Sequence, residues 1–178
     1  MNAVLKTARL LLRRFTLHDI DDLLGIFSDP EAMRYYPATK SRQETIEWID
    51  WNLKSYGDHG FGLWAVIRKD TTQFVGQCGL ILQRDVDGRD ELEIGYSFVR
   101  RHWNVGFATE AAIACRDFGF INVGRTHLVS LIDPENSASK RVAEKVGMSP
   151  EKEIDRWASG FRFMESRDSP RQGLDSNG

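Results

Sequence analysis

One segment concentrates chemistry: Arg100-Arg101-His102-Trp103-Asn104-Val105-Gly106-Phe107-Ala108-Thr109-Glu110-Ala111, which runs from a strand signal straight into a helix. The first turn of a helix carries backbone N–H groups with no intrahelical partner, and these favour an anion. Small residues there (Gly106, Ala108 and Thr109) let a phosphate approach the main chain. The competing reading is a tight strand-to-helix turn that uses Gly106 for its geometry alone. Just upstream, Glu91 to Val99 alternates: Leu92, Ile94, Tyr96 and Phe98 on one face, Glu91, Glu93, Gly95 and Ser97 on the other. Two carboxylates therefore lie on the polar face of the strand that leads into the loop. They are either reactive groups or merely solvated ones. Downstream, Asn136-Ser137-Ala138-Ser139 opens a helical run, where Asn136 or Ser137 has the right chemistry for a cap.

Other familiar chemistries are missing. The chain has no G-x-S-x-G, no H-E-x-x-H and no G-x-x-x-x-G-K-[ST]. Gly60-Phe61-Gly62 begins a G-x-G-x-x-A string, but it precedes a strand, and a dinucleotide turn needs the opposite order. Cys78 and Cys115 are far apart and form no C-x-x-C, which argues against a zinc site and for two buried, reduced thiols. No metal is expected.

The elements around these residues fit one domain of 178 residues, expected to run over residues 1–166 with a polar, disordered tail at 167–178. Its 24 basic and 26 acidic residues give a net charge of −2, which excludes a strongly basic nucleic-acid binder. At 41% hydrophobic it is too apolar to be disordered. Leu10-Leu11-Leu12 is too short for a signal-peptide core or a membrane span, so a cytoplasmic protein without membrane partners is expected.

Arg9 to Phe15 reads as a first strand. Thr16 and Asp19 open a helix with Ile20, Leu23, Leu24 and Phe27 on one face. Ser41 and Glu44 make a capping box for a second helix, whose stripe Ile46, Ile49, Leu53 and Tyr56 runs to Gly57. Strands follow at Phe61 to Lys69, Phe74 to Arg84 and Glu91 to Val99, with Asp87-Gly88 as a hairpin signal. A helix (Gly106 to Phe120), a strand (Thr126 to Ile132), a helix (Ser137 to Val146) and two weak strands near Glu153–Trp157 and Phe161–Glu165 complete the order β-α-α-β-β-β-α-β-α-β-β. Hairpins first and a crossover later predict an α+β fold, a mixed and mostly antiparallel sheet of about seven strands with helices on both faces.

The loop resembles the acetyl-CoA pyrophosphate loop of the GNAT superfamily of acetyltransferases, Q/R-x-x-G-x-G/A, with Arg101 first, Gly106 last and Asn104 where a glycine is usual. The flanking motifs are similar to the branch of the ribosomal-protein N-terminal alanine acetyltransferases: Glu93-Ile94-Gly95-Tyr96, Trp103 to Ala111, Asn136 to Ser139, and Glu144-Lys145-Val146-Gly147-Met148, in that order. Thr7-Ala8-Arg9-Leu10 fits the branch's opening strand. This resemblance implies an N-acetyltransferase that moves acetyl from acetyl-CoA to a primary amine, a protein N-terminus or a small molecule, by direct attack in a ternary complex. The alternative is an acyl-CoA-binding module whose catalytic groups have drifted.

The same resemblance implies the site. Phe98 and Val99 match the strand positions that pair with pantetheine, and the backbone of Asn104, Val105, Gly106, Phe107, Ala108 and Thr109 would cradle the pyrophosphate beside Arg101. Asn136 would hydrogen-bond the pantetheine arm, with Ser139 near the thioester sulfur. Acetyl transfer needs a neutral amine, and Glu93 is the candidate base, Glu91 the substitute. The family's usual acid, a tyrosine in the last helix, is Ala143 here, which leaves Ser139 as the candidate. Tyr35, Tyr36, Trp48, Trp51 and Trp157 are candidates to shape an acceptor cleft. A monomer or homodimer is expected.

Overall fold

A computed structural model describes residues 2–156 and 159–167. One eight-stranded sheet organises them, in the order β1-β2-β3-β4-β5-β6-β8-β7. The strands are β1 (Ala3–Lys6), β2 (Leu10–Arg13), β3 (Leu63–Arg68), β4 (Phe74–Val86), β5 (Arg89–Phe98), β6 (His127–Ile132), β7 (Ser149–Arg156) and β8 (Ser159–Arg167). All neighbours are antiparallel except β5 and β6. The extra strand over the expected seven is β1, four residues too short for alternation to announce; it pairs with β2 through Ala3, Leu5 and Lys6. Arg167, placed with the tail by composition, is the last residue of β8. Trp157 and residues 168–178 lie outside the described residues.

Four helices cover the sheet: α1 (Ile20–Phe27), α2 (Arg42–His59), α3 (Phe107–Ile121) and α4 (Ser137–Val146). β3 shows why they divide between two faces. Leu63, Ala65 and Ile67 pack with Leu23, Ile26 and Phe27 of α1, while Trp64 and Val66 pack with Ala111, Ala112 and Cys115 of α3. A strand buried on both faces needs apolar residues at every position, and β3 has them.

The local signals act where physics puts them. Asp87 (φ 51°) and Gly88 (φ 82°) make the β4–β5 turn with the positive φ pair that Asp-Gly favours. Ser41 accepts from the Glu44 N–H, and Glu44 accepts from the Ser41 N–H, as a capping box requires. Asp19 accepts from the Thr16 N–H at 2.8 Å and also takes both Arg13 guanidinium nitrogens, at 2.6 and 2.8 Å. Burial raises the Asp19 pKa, but the Arg13 and Thr16 donors outweigh it and hold the carboxyl below its usual range.

α2 departs from its expected stripe. It runs through Gly57 and ends at Gly60, whose φ of 79° provides the left-handed cap. Its buried residues are Thr45, Ile49, Asn52, Ser55 and Tyr56, while Leu53 is exposed. Polar side chains occupy the stripe because β3 starts beneath them: Leu63 N–H donates to Asn52 Oδ1 at 2.8 Å, and Ser55 donates to the Phe61 carbonyl. Apolar periodicity does not register residues buried for their hydrogen bonds.

Candidate active site

The site begins where β5 and β6 part. Their parallel pairing has one registered pair, Glu93 with Val129. Beyond it, side chains take the main-chain groups that a continuing ladder would use. Ser130 Oγ donates to the Ile94 carbonyl at 2.8 Å, and the Leu131 N–H donates to Glu93 Oε1 at 3.2 Å. Gln83 Nε2 donates to Glu93 Oε2. Glu93 is 9% exposed, so the polar face of β5 is not solvated here. Glu91 is also buried, but it sits 3.1 Å from His127 Nε2 and does not line the cavity beside the opening.

That cavity has a volume of about 530 Å³. Glu93, Tyr96, Asn136 and Ser139 line it, together with Tyr35, Tyr36, Trp48 and Trp51. Four of the five aromatics expected at an acceptor cleft are therefore brought together; Trp157 is outside the described residues. Asn136 caps α4 with its Oδ1, accepting from the Ser139 N–H at 3.0 Å. Tyr96, the tyrosine of the Glu-Ile-Gly-Tyr motif, donates its hydroxyl to the Ser139 carbonyl at 2.9 Å and so ties β5 to α4. Burial, reinforced by neighbours including Glu93, keeps the Tyr96 phenol protonated far above its ordinary range. Tyr36 is 43% exposed as a residue, yet desolvation first and the charge of Glu93 second push its phenol up to about 12. Ala143 is 1% exposed inside the α3–α4 core, a position with no room for a tyrosine.

The loop after β5 forms the other half of the site. Arg100–His102 makes a short 3-10 turn, then Asn104 (φ 61°) and Gly106 (φ 88°) reverse the chain into α3. Asparagine enters the left-handed region at lower cost than most residues, which is how Asn104 replaces a glycine. The first helical bond is Glu110 N–H to the Gly106 carbonyl, leaving the N–H groups of Phe107, Ala108 and Thr109 as the helix end's orphan donors. Val105 is exposed beside them, whereas the Phe107 ring is buried beneath the Arg9 guanidinium, 4.7 Å from its centroid. Arg101 is exposed at the loop and donates to His102 Nε2. Burial, then the charges of Arg101 and Arg68, lower the His102 pKa and leave its imidazole neutral at pH 7.

Main-chain partners distinguish the two strand positions before the loop. Val99 is committed to the protein, its N–H to the Val75 carbonyl and its carbonyl to the His102 N–H. Phe98 faces the opened side, where its carbonyl accepts from Trp103 Nε1 at 2.8 Å.

A clamp not legible from spacing holds the loop. Glu110 accepts from Thr7 Oγ1 at 2.6 Å, from the Arg9 N–H at 2.8 Å and from Arg9 Nε at 2.7 Å. Arg9 Nη1 reaches the Val105 carbonyl at 3.1 Å. These donors outweigh the burial that alone would raise the Glu110 pKa, and hold it below its usual range. The only sequence signal is that Thr7-Ala8-Arg9 and Thr109-Glu110-Ala111 are both part of the resemblance; nothing in either says that they touch.

Residues 9–149 match the family model described as acetyltransferase (GNAT) domain. The chain belongs to the GNAT acetyltransferase family. It is 44% identical to the uncharacterized protein YkkB of Bacillus subtilis (strain 168) over 94% of this chain and 98% of that one. It is 31% identical to the uncharacterized N-acetyltransferase p20 of Bacillus licheniformis, over 83% of each. A GNAT-family acetyltransferase structure from Bacillus anthracis superposes with a TM-score of 0.75 at 27% identity, over 90% of this chain and 94% of that one. Two further GNAT folds were solved in complex with coenzyme A: the ribosomal α-N-protein acetyltransferase RimL (13% identical, TM-score 0.75) and the aminoglycoside acetyltransferase AAC(6')-Ib (14%, TM-score 0.73). With protein-acting and small-molecule enzymes at similar TM-scores, no branch of the family is singled out. No described helix is long and apolar enough to cross a membrane.

Proposed function

We propose that this acetyltransferase uses acetyl-CoA as donor and a primary amine as acceptor, which meet at the opening between β5 and β6 for direct transfer. The observation that carries this reading is the single β5–β6 pair at Glu93, with the cavity on one side and the α3 amides beyond the strand's end. The donor set fits the cofactor's diphosphate: main-chain N–H groups at a helix N-terminus with Arg101 alongside need no large basic surplus. That RimL and AAC(6')-Ib, which share the fold, were solved in complex with coenzyme A supports the choice of donor. Acetyl-CoA supplies the activated acetyl carbonyl and a thiolate leaving group.

Each residue then has a task. The N–H groups from Asn104 to Thr109 bind the diphosphate, and Phe98 presents the strand edge that pantetheine follows; Val99, expected to share that task, has both main-chain groups taken by Val75 and His102 and instead fixes the strand end. Asn136 holds α4 in register beside the arm. Glu93 accepts the proton that an ammonium must lose before it attacks; Leu131 N–H and Gln83 orient its two oxygens. Ser139, a cavity-lining hydroxyl, is in this reading the acid that protonates the departing thiolate, and Tyr36, whose phenol stays protonated at neutral pH, is a second candidate donor.

Glu93→Gln tests the assignment. A thiol-release assay over an amine and peptide panel should show kcat reduced about 100-fold, the low end for a general base, with coenzyme A affinity unchanged by calorimetry. Unchanged kcat would remove Glu93 from the chemistry. Coenzyme A binding without turnover of any amine would favour the acyl-CoA-binding module instead.

A further inference from the structure

The cavity already contains an alkylammonium. Lys40 Nζ stands 5.8 Å from the Phe27 ring centroid and 5.6 Å from that of Trp48, both cavity-lining rings. Among the described residues no carboxylate forms an ion pair with it, although its charge is one of the influences that lower the Glu44 pKa. Its own backbone is pinned, the Lys40 N–H donating to the Phe27 carbonyl at 2.8 Å, so the half-buried side chain alone decides where the charge goes. Aromatic faces attract such a charge, more strongly when water is excluded.

The rings are held in place. Trp48 Nε1 donates to Gln77 Oε1 at 3.0 Å, and Gln77, 3% exposed, donates to Ser97 Oγ at 3.0 Å. Phe27 meets Trp48 edge-on at 5.5 Å, and the Trp51 ring lies tilted 5.4 Å from that of Trp48. A box fixed by a buried amide loses little entropy when it is filled. The charge balance is equally pointed: Glu44, Glu93 and Asp133 line the cavity against the single cation of Lys40. A second ammonium on the acceptor can replace Lys40 over the rings without changing the balance, since the flexible lysine stem lets its head move to water. A distal carboxylate would gain Lys40 but enter a field of three acidic groups.

We propose that Phe27, Trp48 and Trp51 form a second ammonium subsite, that the acceptor is an alkyl diamine, and that Lys40 is a tethered competitor for the box. The inference rests on the reading that the amine to be acetylated sits at Glu93. The distal ammonium only binds. At the proximal amine, the N–C bond forms as the thioester C–S bond breaks, and the amine's proton leaves through Glu93 as the thiolate is protonated.

The test compares three acceptor series of matched chain length in the thiol-release assay: α,ω-diaminoalkanes, monoalkylamines and ω-amino acids. At the best length, diamines should show a KM about tenfold below the monoamines, which corresponds to about 1.4 kcal/mol. Lys40→Met should lower the diamine KM severalfold and leave the monoamine KM unchanged, and Trp48→Leu should erase the difference between the two. Equal KM values for all three series would overturn the subsite. So would a preference for ω-amino acids that Lys40→Met abolishes, which would make Lys40 an anion anchor. Calorimetry with the same diamines and monoamines separates this inference from the acetyl-transfer reading. Preferential diamine binding without turnover sinks only the latter, and no preference in either measurement sinks the subsite.

Discussion

Around the start of α3, the groups that would meet an anion are main-chain amides; beside Glu93, the cavity is walled by side chains from α2, β4, β5, β6, α4 and the α1–α2 loop. The first region depends on backbone shape. Asn104 and Gly106 hold positive φ, and one carboxylate, Glu110, ties the loop to the turn between β1 and β2. The second depends on which side chains arrive. A cofactor common to a family asks for the first kind of site, and acceptors that differ between its members are served by the second.

That division can be broken from either side. Gly106→Val should have the largest effect. A β-branched residue at φ 88° costs roughly 1–3 kcal/mol, and calorimetry should show coenzyme A affinity down by more than tenfold, roughly 1.4 kcal/mol, with acceptor KM unchanged. Glu110→Gln should raise the KM for acetyl-CoA by about tenfold, the cost of leaving the Thr7 and Arg9 donors poorly matched. Its pH dependence has a definite sign. Because the native carboxyl is held below the ordinary glutamate range, its support of the loop is fully present above that range and lost as pH falls through the lower native value. Coenzyme A affinity of the native protein should therefore decline in that acid window, and that of Glu110→Gln should not. Equal acid limbs would show that the clamp does not govern the loop.

On the acceptor side, Gly95→Ala should have the smallest effect. Its Cβ would sit 2.9 Å from Ile81 Cδ1, the movable end of a side chain that also lines the cavity. The acceptor KM should change about two- to threefold, less than 1 kcal/mol, with coenzyme A affinity unaffected. A larger loss in coenzyme A affinity than in acceptor KM would mean that the two regions are not separable.

Much of this division shows in the order of residues. The capping pairs Thr16/Asp19 and Ser41/Glu44, the Asp87-Gly88 turn and the span of α4 are interactions between near neighbours, so their spacing discloses them. The loop from Arg101 to Thr109 was legible for the same reason. β1 was not, being four residues without a pattern, nor was the polar stripe of α2, whose Asn52 and Ser55 are buried to satisfy β3. Cys78 and Cys115, far apart in the chain, lie with their sulfurs 3.5 Å apart between β4 and α3. Burial pushes the Cys115 thiol up, in keeping with an unreactive pair.

By itself, then, the sequence determined most of the elements, the strand-to-helix turn proposed to meet an anion and the candidate carboxylate, since each rests on backbone propensity or on alternation within a few residues. Only the tertiary structure decided that Glu93 is buried where β5 leaves β6, that Glu91 is diverted to His127, and that Glu110 answers to Thr7 and Arg9. It alone brought Lys40 over Phe27 and Trp48. Those pairings join residues from separate elements, and their energies depend on distance and desolvation, which local spacing does not encode.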